Sequence, residues 1–350
     1  MVTDEELRTL IADGEEPAEK TLVNQRFTTE RWNGVSFFSC TFKSCEFAEV
    51  DFRESVFMNC QFEDCKFSNC NLNNVRILKT SLKRCSLIGP AMSGVQCLKS
   101  ELHGCRIQRS RINGGQFMET DFNDTWFSEL EWERVTIMQG AIEDSVFENG
   151  VLKNSCFVDS EIKNTKFTSI EFNEFMFKGG DLSGHDWSNM RLNKVQFYEV
   201  KSVAARFCNT QTWHMGIHES DFSGSDFHSV QGDFLRIYKS SVTDAMFDGA
   251  VLDNAQFTES TLLQTSFRGA KMGKAMIMQC DASRANFDGV DFRMGEMVKT
   301  IVYGSRLTDI DCRLSKFDEL VEDDDTDWTG TLRALARPED SERKEKLGAA

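Results

Sequence analysis

An apolar residue returns at nearly every fifth position from Phe27 to Phe317, with no insertion or deletion in between. Of the 59 stops only Ser202, Thr212 and Gly232 are not apolar, and 26 of the 29 phenylalanines fall on them. A helix repeats at 3.6 residues and a strand at 2, so this period belongs to neither. A fixed internal period marks a repeat architecture, and it governs how every other feature of the chain is read.

The position two before each apolar centre is also selected, for small residues: Cys40, Cys45, Val50, Ser55, Cys60, Cys65 and Cys70 early on, Ala245, Ala250, Ala255 and Ala270 later. Large and small inward residues therefore alternate. The other three positions carry Asp, Glu, Asn, Lys, Arg, Ser and Gly and face water. Units such as Ala245-Met246-Phe247-Asp248-Gly249 and Ala285-Asn286-Phe287-Asp288-Gly289 closely resemble those of the pentapeptide-repeat family.

That resemblance implies an all-β fold, a right-handed, four-sided parallel β-helix in which four pentapeptides make a coil of 20 residues. The repeat then supplies 14–15 coils, a rod on the order of 70 Å at about 4.8 Å per coil. Residues 20 apart become neighbours, which stacks Cys45, Cys65, Cys85 and Cys105 in one column. Thr212 and Gly232 lie one coil apart, and each is followed three residues later by a large inward residue, Met215 or Leu235. Volume lost at a centre is made up in the same layer, as a close-packed interior requires.

Three segments follow from the frame. Residues 1–26 precede the repeat, and Thr3-Asp4-Glu5-Glu6 has the spacing of a capping box, so a short helix is expected to cap the first coil. Residues 27–317 form the β-helix. Residues 318–350 form an acidic C-terminal cap and a flexible tail, with Leu332, Leu335 and Ala336 suited to a cap helix before Pro338 and the final dozen residues expected to be disordered.

Eight of the 12 cysteines occupy the small inward position, so they are expected to be reduced, buried, space-filling thiols. The sequence has neither a charged-then-apolar leader nor a long apolar run. A soluble, cytoplasmic protein with no membrane association is expected, unless a specialised secretion system exports it.

Function in a filled coil must lie on the outward columns. One column just after the centre reads Phe38, Met58, Leu78, Leu98, Met118, Met138, Val158, Lys178, Tyr198, His218, Tyr238, Thr258, Met278, Val298. Eleven of these 14 are apolar or aromatic, whereas the equivalent columns on the other sides are polar. Cys156 and Met176 flank the stripe on one edge, and Lys79, Lys99, Glu119, Lys239 and Glu259 line the other. An apolar band with a charged edge has the composition of a protein interface, for a protein partner or a homodimer. A terminal segment folded over the band, or side chains tucked into turns, would look the same in sequence.

The net charge of −16 raises DNA mimicry, because some members of the resembled family imitate duplex charge and bind type II topoisomerases. Here the two end segments account for −10, which leaves −6 over 291 residues. Duplex DNA carries one charge per ~1.7 Å. A single column lines up Glu101, Asp121, Glu161, Asp181, Asp221 and Asp281, interrupted by Ala141 and Lys201. The resemblance thus offers a second reading, an inhibitor or protector of DNA gyrase or topoisomerase IV, although the chain lacks the loop insertion and dimerising C-terminal helix expected of that group. Direct nucleic-acid binding is not expected.

His214 and His218, near Cys208, Asp221 and His228, suggest a metal at first sight. In the coil frame Cys208 and His228 are adjacent, but His214 and His218 fall on other sides, and no metal is assigned. No phosphate loop, nucleophile elbow or dinucleotide fingerprint is present, so no catalytic residue, cofactor or enzyme activity is expected. The sequence therefore predicts a non-catalytic interaction scaffold or adaptor. The Phe- and Cys-rich style of Phe42 to Leu72 resembles repeats found with bacterial type VI secretion adaptors and cargo.

Overall fold

A computed structural model describes residues 2–333 and residue 336. The chain is an all-β parallel solenoid of about 15 turns with about 20 residues per turn. It divides into two compact units, Met1–Gly180 and Asp181–Ala350.

Each pentapeptide does three things. The centre and its two neighbours form a three-residue strand or a single bridge, which pairs in parallel with the residues 20 positions on, as in Phe37↔Phe57 and Leu82↔Leu102. The residue two after the centre turns the corner in the left-handed region, with φ of 56° at Asn59 and 52° at Asn164. Asn tolerates that region, and Gly34 and Gly89 occupy it without a Cβ penalty. The next residue is the small inward one.

In the first unit one side pairs Thr21–Val23 through Glu161–Lys163, the next pairs Arg26–Thr28 through Lys166–Asn173, and the fourth pairs Ser36–Phe38 through Met176–Lys178. The third side is held mostly by single bridges such as Arg31↔Asp51 and Asp51↔Asn71. Over Trp126–Glu133, Val146–Lys153 and Lys166–Asn173 the chain pairs through the corner as eight-residue strands. In the second unit the stripe side keeps three-residue strands, from Gln196–Tyr198 to Lys316–Asp318, and single bridges dominate the other sides.

The interior is a ladder of rings. Phe27, Phe47 and Phe67 stack at 5.3 and 4.8 Å, Phe42 on Phe62 at 4.9 Å, and Phe207, Phe227 and Phe247 at 4.6 Å per step. Between Leu72 and Ile112, Leu, Ile, Met and Cys replace Phe, and a void of about 40 Å³ runs through this stretch between Phe57 and Trp132.

The small inward position does more than fill space. Its hydroxyl or thiol donates to the centre carbonyl 23 residues earlier: Ser55 to Trp32 at 2.6 Å, Thr165 to Ile142 at 2.7 Å, Cys65 to Phe42 at 3.3 Å, Cys105 to Leu82 at 3.3 Å. Ser, Thr and Cys therefore tie successive coils together where Ala only packs. All 12 cysteines are free thiols. Burial pushes Cys70, Cys97 and Cys280 up to about 11.

Helix α1 spans Asp4–Ala12 and carries the expected box: Thr3 N donates to Glu6 Oε2 at 2.7 Å, and Glu6 N donates to Thr3 Oγ1 at 3.2 Å. It buries Leu7 and lays the Arg8 guanidinium 5.6 Å from the centroid of Phe27, with Arg8 Nε 2.8 Å from Glu30. Pairing starts before Phe27, with the bridge Ala18↔Phe38 and then the strand Thr21–Val23, because Leu22 is itself an inward centre. It also runs past Phe317. Ile301 pairs with Val321, then the register slips by one residue and Arg306 pairs with Asp327. Trp328 packs edge-on against Phe317 at 5.3 Å, and Arg333 lies 4.4 Å from the Trp328 centroid. The expected cap helix around Leu335 and Pro338 and the expected tail disorder fall outside the described residues.

Candidate protein interface

Parallel pairing at a register of 20 sets each outward column in line. In the first unit the ladder runs Phe38↔Met58↔Leu78↔Leu98↔Met118↔Met138↔Val158↔Lys178 along one sheet. Met118 is 40% exposed, whereas Phe38, Met58, Leu78, Leu98, Met138 and Val158 are half-buried because each is shielded by the same column one coil above and below. Cys156 and Met176 lie beside them, also half-buried, with Cys156 Sγ donating to Thr136 Oγ1 at 3.5 Å. Lys99 and Glu119 pair at 3.5 Å along the charged edge. The next side is polar, with Lys43 Nζ 3.1 Å from Glu63 and Arg84 bridging Glu63 and Asp64 at 2.8 Å each.

The second unit continues the pattern within itself: Tyr198↔His218↔Tyr238↔Thr258↔Met278↔Val298. Here the column is aromatic. Tyr198 stacks on His218 at 4.6 Å, and Lys239 Nζ sits 5.1 Å from the Tyr238 centroid. Burial lowers the pKa of His218, which favours the neutral ring. Gln196 holds the local backbone, donating Nε2 to the His214 carbonyl at 2.9 Å, with Oε1 3.2 Å from His218 Nε2. Gly216 leaves room for it, since a Cβ there would meet Gln196.

Sequence reasoning missed a neighbouring feature. Phe234, 37% exposed, sits at φ 61° and stacks on His214 at 4.7 Å, and His214 packs against Trp213, itself 49% exposed. A bulky residue at positive φ is uncommon and costs strain. The signal was present in the sequence as an aromatic residue at a corner position.

The acidic column is aligned, and the carboxylates of Asp121, Asp181, Asp221 and Asp281 have internal partners. In the first unit Glu101 pairs in register with Asp121, whose Oδ1 accepts from the Ala141 amide at 2.8 Å, and Ala141 pairs with Glu161. In the second unit Lys201 lies 3.1 Å from Asp181, Asp221 accepts from the Ser223 amide at 3.0 Å, and Asp281 accepts from the Ser283 amide at 3.0 Å. These carboxylates cap turns and neutralise a neighbouring lysine.

The structure also brings Cys208, Asp226 and His228 together, with their ligating atoms within 4.8 Å of one another. Among the described residues, no helix is long and apolar enough to cross a membrane.

A family model described as pentapeptide repeats matches eight copies, over residues 36–74 and 240–273. A search of curated proteins found no match. Among solved structures, the chain is similar to QnrB1, described as a plasmid-mediated fluoroquinolone resistance protein, at 16% identity over 69% of this chain and 90% of that one, with a TM-score of 0.27. It is similar to HetL of the cyanobacterium Nostoc, a pentapeptide repeat protein involved in heterocyst differentiation regulation, at 13% identity over 81% and 97%, TM-score 0.17. It is also similar to the periplasmic alginate epimerase AlgG at 9% identity over 86% and 76%, TM-score 0.26. At these scores the matches bear on neither mechanism nor partner.

Proposed function

As the chain belongs to the pentapeptide-repeat family, we propose that it is a non-catalytic interaction scaffold or adaptor that binds a protein partner, or a second copy of itself, along its apolar side. In a type VI secretion or effector-delivery setting, that partner is a delivered protein or a component of the delivery machinery. One observation carries the reading. Seven consecutive coils of the first unit present Phe38, Met58, Leu78, Leu98, Met118, Met138 and Val158 in register on one sheet, while the next side is laced with ion pairs. Helix α1 packs on Phe27 and Glu30 at the end of the first coil and makes its contacts there.

The test replaces Met118, Met138 and Val158 together with Glu. The outward positions leave the core untouched, so the far-UV spectrum is expected to stay unchanged, while the three in-register glutamates repel one another and lower the melting temperature without unfolding the chain. Self-association, measured by light scattering over a concentration series, and capture of partner protein from the native cell should both fall. If neither changes, the interface reading fails. The alternative, a DNA-mimicking inhibitor or protector of DNA gyrase or topoisomerase IV, draws on the acidic column, of which Asp121, Asp181, Asp221 and Asp281 are capped or paired internally. A supercoiling assay separates the two: inhibition or protection at micromolar protein supports the mimic, and none supports the scaffold.

A further inference from the structure

The geometry points to a divalent transition-metal site on the second unit, formed by Cys208, Asp226 and His228, that takes zinc or a metal of similar softness. Arg206 pairs in register with Asp226, so Cys208 and His228, each two residues further on, occupy one outward column on adjacent coils. Asp226 completes the set from the column beside it. The three ligating atoms lie within 4.8 Å of one another, and they offer one thiolate, one imidazole nitrogen and one carboxylate oxygen. That donor set suits a borderline-soft ion and not magnesium or calcium, which take oxygen ligands.

The local contacts are those of a site that needs little adjustment. Asp226 Oδ1 is 2.7 Å from His228 Nδ1 and 3.1 Å from the His228 amide, so the carboxylate already fixes the ring. Tetrahedral bonds of about 2.0 Å put two ligand atoms about 3.3 Å apart, so the metal replaces the shared proton after the pair opens by about half an ångström. Cys208 is 5% exposed and its Sγ is 2.8 Å from Ser188 Oγ, which anchors the sulfur. Arg206 Nη2 approaches the same sulfur at 3.9 Å, and its Nη1 is 3.4 Å from Asp186. Thiolate and carboxylate together neutralise a divalent ion, and Asp186 balances Arg206, so the local charge closes at zero. The His228 side chain is 45% exposed, so water has access to the fourth coordination position. Three protein ligands plus a solvent position is the open zinc arrangement, not the closed four-ligand structural one.

The test uses the full chain, freed of metal with a chelator and titrated with cobalt(II) alone. One equivalent should produce the near-ultraviolet thiolate-to-cobalt band, and zinc should displace it. Cys208→Ser should abolish the band, His228→Ala and Asp226→Asn should weaken binding at least tenfold, and Cys280→Ser, at a small inward position that Ser260 fills one coil earlier, should leave it unchanged. Alkylation of Cys208 in the unsubstituted protein, followed by mass spectrometry, should slow at least tenfold when zinc is present, a readout that needs no variant to fold. The proposal is overturned by no band in the unsubstituted chain, by an undiminished band in Cys208→Ser, or by alkylation that zinc does not slow.

Discussion

Replacing Leu252 with Ala tests how the solenoid interior tolerates a missing centre. Gly232 is the emptiest centre of the repeat, and Leu252 sits one coil above it with Cδ2 3.2 Å from the place a Gly232 Cβ would occupy. Leu252 is fully buried, as is Met215, while Leu235 is 1% exposed, so the volume lost at Gly232 is taken up by the neighbouring coil as well as by the inward residues of the same layers. Removing the leucine forfeits about three buried methylene equivalents, or about 2.4 kcal/mol. Gly232 has no side chain to move in, so a residual void of about 50 Å³ adds about 1.2 kcal/mol. The expected cost is about 3.5 kcal/mol, read as a lower guanidinium midpoint with unchanged slope. Gly232→Leu alone should destabilise by about 1–3 kcal/mol through overpacking, yet in the Leu252→Ala background it should recover at least about 1 kcal/mol. A cost below about 1.5 kcal/mol, or strict additivity of the two changes, would refute the account of compensation between coils.

Thr165→Val keeps the shape and deletes the 2.7 Å bond to the Ile142 carbonyl, so it should cost about 1 kcal/mol, and amide exchange around Ile142 should quicken relative to the other coils. The buried thiols give a pH signature. Folded Cys70, Cys97 and Cys280 hold their protons up to about 11, above the ordinary value of 9.0, so the folded chain binds more protons than the unfolded one between those values. Stability contributed by these groups is complete below about pH 9 and should be lost progressively as pH rises toward 11. Guanidinium midpoints across that window check the sign. At neutral pH these three cysteines should resist alkylation until the chain unfolds.

The period of five carried most of the architecture. A period of five with neighbours 20 apart determines which residues stack, so the ladders from Phe38 to Val158 and from Tyr198 to Val298 were legible as columns before any coordinate. How deeply each residue lies was not. Phe38 and Leu98 read as exposed from the frame, yet they are half-buried, because shielding comes from residues 20 positions away whose size the local pattern does not weigh. The small inward position likewise reads as a size constraint, while the bond from Ser55 to Trp32 spans 23 residues and becomes visible only when the coil closes. Chain ends obscured the limits of the repeat: Leu22 continues the frame backwards without a phenylalanine to announce it, and the slip that pairs Arg306 with Asp327 breaks the count by one. The Cys208 cluster was legible only in part: the coil frame sets Cys208 beside His228, but the third donor, Asp226, was passed over. His214 and His218 drew attention by closeness in sequence, whereas Asp226 reaches Cys208 across coils.

The central claim, that the apolar side is a binding surface, is tested most directly by oxidative footprinting of exposed methionines. Met118 is 40% exposed on the stripe, and Met246 and Met294, at 46% and 48%, lie off it and serve as internal standards. In dilute purified protein the three should form sulfoxide at comparable rates. In the native cell, or at concentrations where the chain self-associates, Met118 should be protected several-fold relative to Met246 and Met294. Equal oxidation of all three under every condition would contradict the account.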